Sequence, residues 1–276
     1  MSLFFSNLMF IIPMLYTIKS RIYTFFKFSS WIIIYWIPLL FIFLFQNHWS
    51  FNNVLLFFFS IVLIYNFYEI GYIQNDTETI KNEKYPTMRL SNEQILFYER
   101  YKYLIYFVRF FSGIVGVCFL LFYLSFSDSA KLFSLSLFFI ILFFLIYNNI
   151  RNKWNLLLNF LLVSIRYLAP FFLIVPITIK LIITVLCVYP IINFIERAAT
   201  AKFGITSFKM IIPEKQHLTR FRVIYYFIML ILFLVYHFFV INISFFILVV
   251  SYYLLFRGLC FLLIKYGMNP RNYLEA

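Results

Sequence analysis

The chain has 276 residues, of which 64% are hydrophobic, 24% aromatic and only 12% charged. Soluble domains carry about 25% charged residues, so a soluble globular fold is excluded: it would lack the polar surface to enclose this much Phe, Leu, Ile and Tyr. The net charge of +13 would suit nucleic acid. In a membrane protein its plainer source is the excess of Lys and Arg in cytoplasmic loops, so the expected partner is the lipid bilayer and not nucleic acid.

The apolar runs are long and unbroken, as in 137–146 and 227–235. Barrel strands would alternate apolar with polar residues, so the expected fold is all-α, a polytopic membrane bundle of 8–9 transmembrane helices in a single domain. The first apolar stretch, 3–17, is short for a span, which needs about 20 residues. It has neither the basic start nor the small-residue cleavage site of a signal peptide. It is read as an interfacial helix or a ninth membrane helix within an N-terminal piece, 1–29. Eight spans follow, at 30–46, 53–73, 103–125, 131–148, 155–176, 178–196, 222–240 and 244–264.

Charge orients them. The side preceding the first of these spans holds Lys19, Arg21 and Lys27, the connections 74–102, 149–154 and 197–221, and the tail with Lys265 and Arg271. The other side holds only Lys131 and Lys180. The positive-inside bias therefore makes the first side cytoplasmic.

The connection after the second span is where the acids gather: Glu69, Asp76, Glu78, Glu83, Glu93 and Glu99 are six of the ten in the chain. Glu69, Asp76 and Glu83 recur every seven residues, which places them along one helical face beside Asn66 and Thr79, until Pro86 stops the helix. Stacked carboxylates repel, and a divalent cation relieves the repulsion. Glu69, Asn75, Asp76 and Glu83 are candidate ligands for Mg²⁺, which prefers oxygen and shares a substrate phosphate. Lys81, Lys84 and Arg89 follow and are candidates for holding phosphate oxygens. A solvated mixed-charge loop is the other reading of this segment, but a carboxylate as near the hydrocarbon as Glu69 is costly unless it is used.

The connection after the sixth span opens with Glu196, Arg197 and Lys202, a weak signal alone. Arg109, Arg166 and Arg257 lie inside spans, and deep arginines face the bundle interior and pair there. Arg166 is mid-span and a candidate ligand contact; Arg109 and Arg257 are closer to the cytoplasmic end, within reach of the interface. Cys118, Cys187 and Cys260 read as small buried hydrophobes, and the three histidines have no ligand spacing.

Together these segments resemble the UbiA superfamily of intramembrane prenyltransferases. That family carries Asn-Asp-x-x-Asp-x-x-x-Asp after its second core span, where this chain has Asn75-Asp76-x-x-Thr79-x-x-x-Glu83, followed by a basic, proline-containing stretch similar to Lys84, Pro86 and Arg89. Tyr147 to Arg151 and Lys153 resembles its Tyr-x-x-x-Lys-Arg, and Glu196-Arg197 with Lys202-Phe-Gly204-Ile-Thr-Ser207 resembles the two ends of its second acidic motif. The likeness covers roughly 60–210. Thr79 replaces a central acid, and Ala198, Ala199 and Thr200 stand where further acids are expected.

The resemblance implies an Mg²⁺-dependent intramembrane transferase that displaces diphosphate and moves a prenyl group to an acceptor. Asp76, Glu83 and Glu196 would be its catalytic acids; Asn75, Lys81, Lys84, Arg89, Arg151, Lys153, Arg166, Arg197 and Lys202 would bind substrate. The donor would be an isoprenoid diphosphate. One branch of the superfamily instead moves phosphoribosyl to a polyprenyl phosphate, and the Pro86-Thr87-x-Arg89 piece keeps it open. A non-catalytic membrane protein or a transporter is the third reading. The connections 74–102 and 197–221 are expected to meet over one cytoplasmic cavity.

Overall fold

A computed structural model of the chain describes residues 7–47, 49–82, 87–150, 152–173, 177–200, 203, 205–212, 217–239 and 244–266. All regular structure in these residues is helical. Seven helices are long and apolar enough to cross a membrane: α2 (Phe25–Gln46), α3 (Phe51–Lys81), α4 (Asn92–Tyr123), α5 (Asp128–Asn149), α6 (Trp154–Leu173), α10 (Leu218–His237) and α11 (Phe245–Lys265). An eighth span arises if α7 (Ile179–Val188) and α8 (Pro190–Ala198) count as one. The chain is thus a multi-pass helical membrane protein, and each of the eight spans expected from hydropathy has its counterpart.

Local chemistry sets the ends. Ser50, Ser91, Ser127 and Thr178 each accept a backbone N–H from three residues on, at 3.1–3.3 Å, the N-cap that opens a helix. At Ser91 the Gln94 side chain accepts the Ser91 N–H in return, completing a capping box. The expected sixth span, 178–196, is not straight: α7 and α8 meet at a 40° bend. Pro190 disfavours helical geometry at the residue before it, and Tyr189 sits at φ −142°, ψ −48°.

The described part of the N-terminal stretch, from residue 7, is not one continuous helix. A single 3-10 turn (Leu8–Phe10) is followed by a reversal at Met14, whose φ is 70°, and then by the six-residue α1 (Leu15–Ser20). Met9, Phe10 and Tyr16 are completely or almost completely buried. They pack with Ile73 of α3 and with Tyr98 and Ile105 of α4. Residues 1–6 lie outside the described residues. The short α9 (Thr206–Ile211) lies between α8 and α10.

By internal contacts the chain divides into two compact units, although its sequence reads as one domain. The first comprises 1–24 and 43–176, the second 25–42 and 177–276. No polar linker marks the division, because one boundary falls between Ile42 and Phe43 inside the apolar helix α2.

In the first unit α3 is the central helix: 67% of its most apolar window is buried, against 22% for α4 and 33% for α5. Two glycines let its neighbours approach. A Cβ on Gly71 would lie 2.1 Å from the Phe144 ring of α5, and one on Gly113 of α4 would lie 2.5 Å from Phe67. In the second unit α10 and α11 pair. Tyr226 and Tyr253 stack across them at 5.2 Å, and the Tyr252 and Tyr253 hydroxyls donate to the Ile33 and Ile34 carbonyls of α2 at 2.8 and 2.5 Å.

Candidate functional site

The acidic face of α3 divides its carboxylates among different tasks. Glu69 meets Arg109 of α4 at 2.9 Å, both side chains wholly buried. It also accepts the backbone N–H groups of Met14 (2.9 Å) and Thr17 (2.6 Å), which are unsatisfied donors at the start of α1. Arg109 donates to the Phe10, Met9 and Ile12 carbonyls at 2.8, 2.9 and 3.1 Å and to Asn66 Oδ1 at 3.3 Å. With Glu69, these use all the guanidinium donors. The pair therefore caps both the N–H and the C=O ends of the irregular N-terminal backbone. Glu69, expected as a metal ligand, is committed to this anchor.

Asp76, about two helical turns further along the same face, has a different environment. Its buried carboxylate accepts from Arg21 Nη2 at 2.9 and 3.2 Å, from Arg89 Nη1 at 3.0 Å, from the Tyr16 hydroxyl at 3.0 Å and from Asn75 Nδ2 at 3.1 Å. The Arg21 guanidinium also lies 3.7 Å over the Tyr72 ring. Burial opposes its charge, but Tyr72, Asp76 and Tyr16 outweigh that and hold it above the ordinary arginine value. Burial, then Asp76, pushes the Tyr16 hydroxyl well above its ordinary value, so it stays protonated and donates.

Arg166 of α6 sits 5.1 Å from the Tyr68 ring and 5.7 Å from Tyr167, with Tyr65 and Tyr72 also acting on its charge. Tyr68 and Tyr72 pack edge to face at 5.1 Å. Tyr65, Tyr68, Tyr72 and Asp76 follow one another at helical spacing, so a single face of α3 carries tyrosines with Arg21 and Arg166 on them and Asp76 at its end. Arg89 closes that end.

The remaining candidates have other partners or lie outside the described residues. Lys81 pairs with Glu99 at 3.0 Å, with both side chains about half exposed, and Lys153 is an exposed residue before α6. Glu83, Lys84, Arg151 and Lys202 lie outside the described residues. In the second unit Glu196 is held by Arg222 in a bidentate pair, Nε and Nη2 donating to its two oxygens at 2.7 and 2.9 Å. Arg197 lies in the last turn of α8, its carbonyl accepting the Thr200 hydroxyl at 2.7 Å.

The described carboxylates of the acidic face are already engaged. Both Asp76 oxygens face guanidinium groups, Glu69 is saturated by Arg109 and two N–H groups, and Thr79 donates its hydroxyl to the Gln74 carbonyl at 3.3 Å. Glu78 is taken by Tyr98 and, at 2.7 Å, by Lys102. Among the described residues no three His, Cys, Asp or Glu side chains form a metal-binding group. The described residues by themselves, without Glu83, do not fit Mg²⁺. They fit an anion, since Arg21 and Arg89 share one carboxylate.

Tyr16, Arg21, Arg222 and the tyrosines of α3 were not among the sequence candidates. Arg21 and Tyr16 lie far from Asp76 in sequence, and no spacing links them to it. The tyrosines had a readable signal in their helical period, but tyrosine is so abundant here that the period alone does not stand out. Arg222 likewise meets Glu196 only through folding. The chain matches no family model, no curated protein and no solved structure.

Proposed function

We propose that this protein is an intramembrane transferase of the UbiA type that displaces diphosphate from an isoprenoid diphosphate and moves the prenyl group to an acceptor. The observation carrying this reading is the face of α3 on which Arg21 and Arg166 lie over tyrosine rings and Asp76 is the acid between Arg21 and Arg89. Guanidinium groups match phosphate oxygens with paired donors and keep their charge when buried. Aimed at a leaving diphosphate, they stabilise the charge that develops as the bond breaks.

In the reaction the bond from the allylic carbon to the diphosphate oxygen breaks, and the electron pair leaves with the diphosphate. A lone pair on the acceptor forms the new bond, and the acceptor loses a proton to water at the polar end. Tyr65, Tyr68 and Tyr72 offer ring faces to the allylic cation, and the surrounding helices exclude water from it. Asp76 acts here as a positioning residue: it holds Arg21 and Arg89 in place. The site belongs at the cytoplasmic face of the membrane, in keeping with the basic loops, and a bacterial inner membrane is the setting that suits it. Mg²⁺ belongs to the resemblance; to be held here it would need Glu83 together with a carboxylate released from its arginines. The phosphoribosyl reading uses the same displacement with a sugar-derived cation.

The deciding experiment is to measure diphosphate release by the purified protein in lipid vesicles supplied with isoprenoid diphosphates or phosphoribosyl diphosphate. Lipid mass spectrometry of cells with and without the gene accompanies it. Release with an isoprenoid donor, lost in Arg166→Gln, is the expected result. Release only with phosphoribosyl diphosphate selects the second reading. Diphosphate bound but never released from a donor, with unchanged cell lipids, refutes the transferase and leaves a binding protein or transporter.

A further inference from the structure

The face of α3 that carries Phe67, Gln74 and Glu78 is roughly opposite the face of Tyr68, Tyr72 and Asp76, at 3.6 residues per turn. It grades from apolar to charged, and within the first unit it floors a cavity of about 340 Å³. Phe110 and Lys102 of α4 line one side and Ile141 of α5 the other. The Phe144 ring, 4.7 Å from Tyr68, separates this cavity from the tyrosine face. Leu145, which also lines it, is about half exposed. The cavity therefore meets the outer surface of α5, which in a spanning helix is the surface that lipid covers.

Three side chains at its polar end keep unused hydrogen-bonding capacity. Glu78 takes the Tyr98 hydroxyl and, at 2.7 Å, Lys102 Nζ on the same oxygen, Oε1. Among the described residues its Oε2 has no partner, and Lys102 has spent one of three donors. Both side chains are about one-third exposed. Gln74 accepts Asn148 Nδ2 on its Oε1 at 2.9 Å, and Asn148 is itself fixed by donating to the Gly71 carbonyl at 3.2 Å. The amide nitrogen of Gln74 is left as its free end, without a partner among the described residues. The cavity thus offers a carboxylate oxygen beside an ammonium, then amide donors one helical turn, about 6 Å, deeper, then apolar side chains alone. A zwitterionic glycerophospholipid carries its groups in that order: a cation and a phosphodiester at the head, ester carbonyls a few ångströms below, and hydrocarbon chains below those.

We propose that this groove between α4 and α5 binds a bilayer phospholipid whose zwitterionic headgroup ends in a primary ammonium. The ammonium donates to Glu78 Oε2, the phosphodiester oxygens accept from Lys102, an ester carbonyl accepts from Gln74, and one acyl chain runs between Phe110 and Ile141. Charge-assisted bonds of this kind are about twice as strong as neutral ones, so the headgroup sets the selectivity. A trimethylated ammonium has no N–H to give Glu78, and an anionic glycerol headgroup brings it no cation. The lipid is neither donor nor acceptor of a transferred group, and the site does not depend on the transferase reading.

The test uses the whole chain, stripped of lipid in detergent and titrated with ethanolamine, choline and glycerol phospholipids of identical chains. Bound lipid is counted by native mass spectrometry, and stabilisation is read as a melting temperature. The ethanolamine lipid is expected to bind about tenfold more tightly than the other two. Glu78→Gln, which keeps an oxygen for the Tyr98 hydroxyl, should bring the ethanolamine lipid down to the choline lipid's affinity and leave the choline lipid unchanged. Lys102→Gln should weaken both zwitterions alike, since both carry the phosphodiester, and Gln74→Leu should weaken all three lipids. Equal affinity of the parent protein for the three lipids would overturn the headgroup chemistry and leave only a general lipid contact. Tighter binding of the glycerol lipid would make Lys102 a simple anion site and overturn the zwitterion. Unchanged ethanolamine-lipid affinity in Gln74→Leu, a variant that alters no charge, would overturn the groove as the binding site even if Glu78→Gln failed to fold.

Discussion

Glu69 and Arg109 meet at 2.9 Å with neither side chain exposed, and between them they hold the turns on either side of Met14 against the helices of the first unit. One supplies acceptors to the start of α1 and the other supplies donors to the carbonyls before it. Non-helical backbone at membrane depth is tolerated only where protein satisfies it, and this pair does so. Glu69→Ala or Arg109→Ala should each cost about 3–5 kcal/mol by leaving the partner charged and alone. Thermal or denaturant unfolding in detergent checks this, with replacement of both by apolar residues expected to be less harmful than either single change. Equal stability of all three variants and the parent would show that the pair anchors nothing.

The close approach of α3 and α5 depends on Gly71. Gly71→Leu drives a side chain into Phe144, and overpacking of this kind costs about 1–3 kcal/mol. The expected signature is partial recovery in the double variant Gly71→Leu with Phe144→Ala, measured as a melting temperature. No recovery would place the cost elsewhere.

Diphosphate binding by the first unit's arginines should need no divalent metal. Titration of the protein with inorganic diphosphate is expected to give the same affinity with and without excess chelator. A drop of about tenfold is expected in Arg166→Gln or in Arg89→Gln. Binding that disappears with chelator would return the charge-neutralising role to Mg²⁺.

The cation side of that site should also be insensitive to pH. The Arg21 guanidinium is raised above its ordinary value, so the pairing it contributes is present below the unfolded value and is lost only as pH rises through the still higher folded one. Between about pH 7 and about pH 10 arginine stays protonated, and affinity for diphosphate should not fall. In Arg21→Lys it should weaken towards the upper end of that range, where lysine begins to discharge. A fall in the parent protein over the same range would implicate a different group.

Single cysteines in 87–89 and in 206–212, on a background lacking the three native cysteines, test the membrane side. A membrane-impermeant thiol reagent should label neither in intact cells and both after permeabilisation. Labelling of either in intact cells would overturn the cytoplasmic assignment.

The spans were legible because the hydrocarbon imposes one rule on every segment that crosses it: about 20 apolar residues, backbone bonded internally. Each residue's own hydropathy answers that rule, so eight crossings could be counted without knowing which helix touches which. The same sequence marked Asp76, Arg89 and Arg166 as worth attention, because ionisable groups near hydrocarbon are costly wherever they point. What they pair with depended on folding. Arg21 reaches Asp76, Arg109 reaches Glu69 and Arg222 reaches Glu196 across gaps in sequence that carry no period, and charge pairing depends on distance in space. The N-terminal stretch reads from its apolar residues as an interfacial or ninth membrane helix, and the broken path of its described residues rests on the acceptors and donors that Glu69 and Arg109 bring to its backbone.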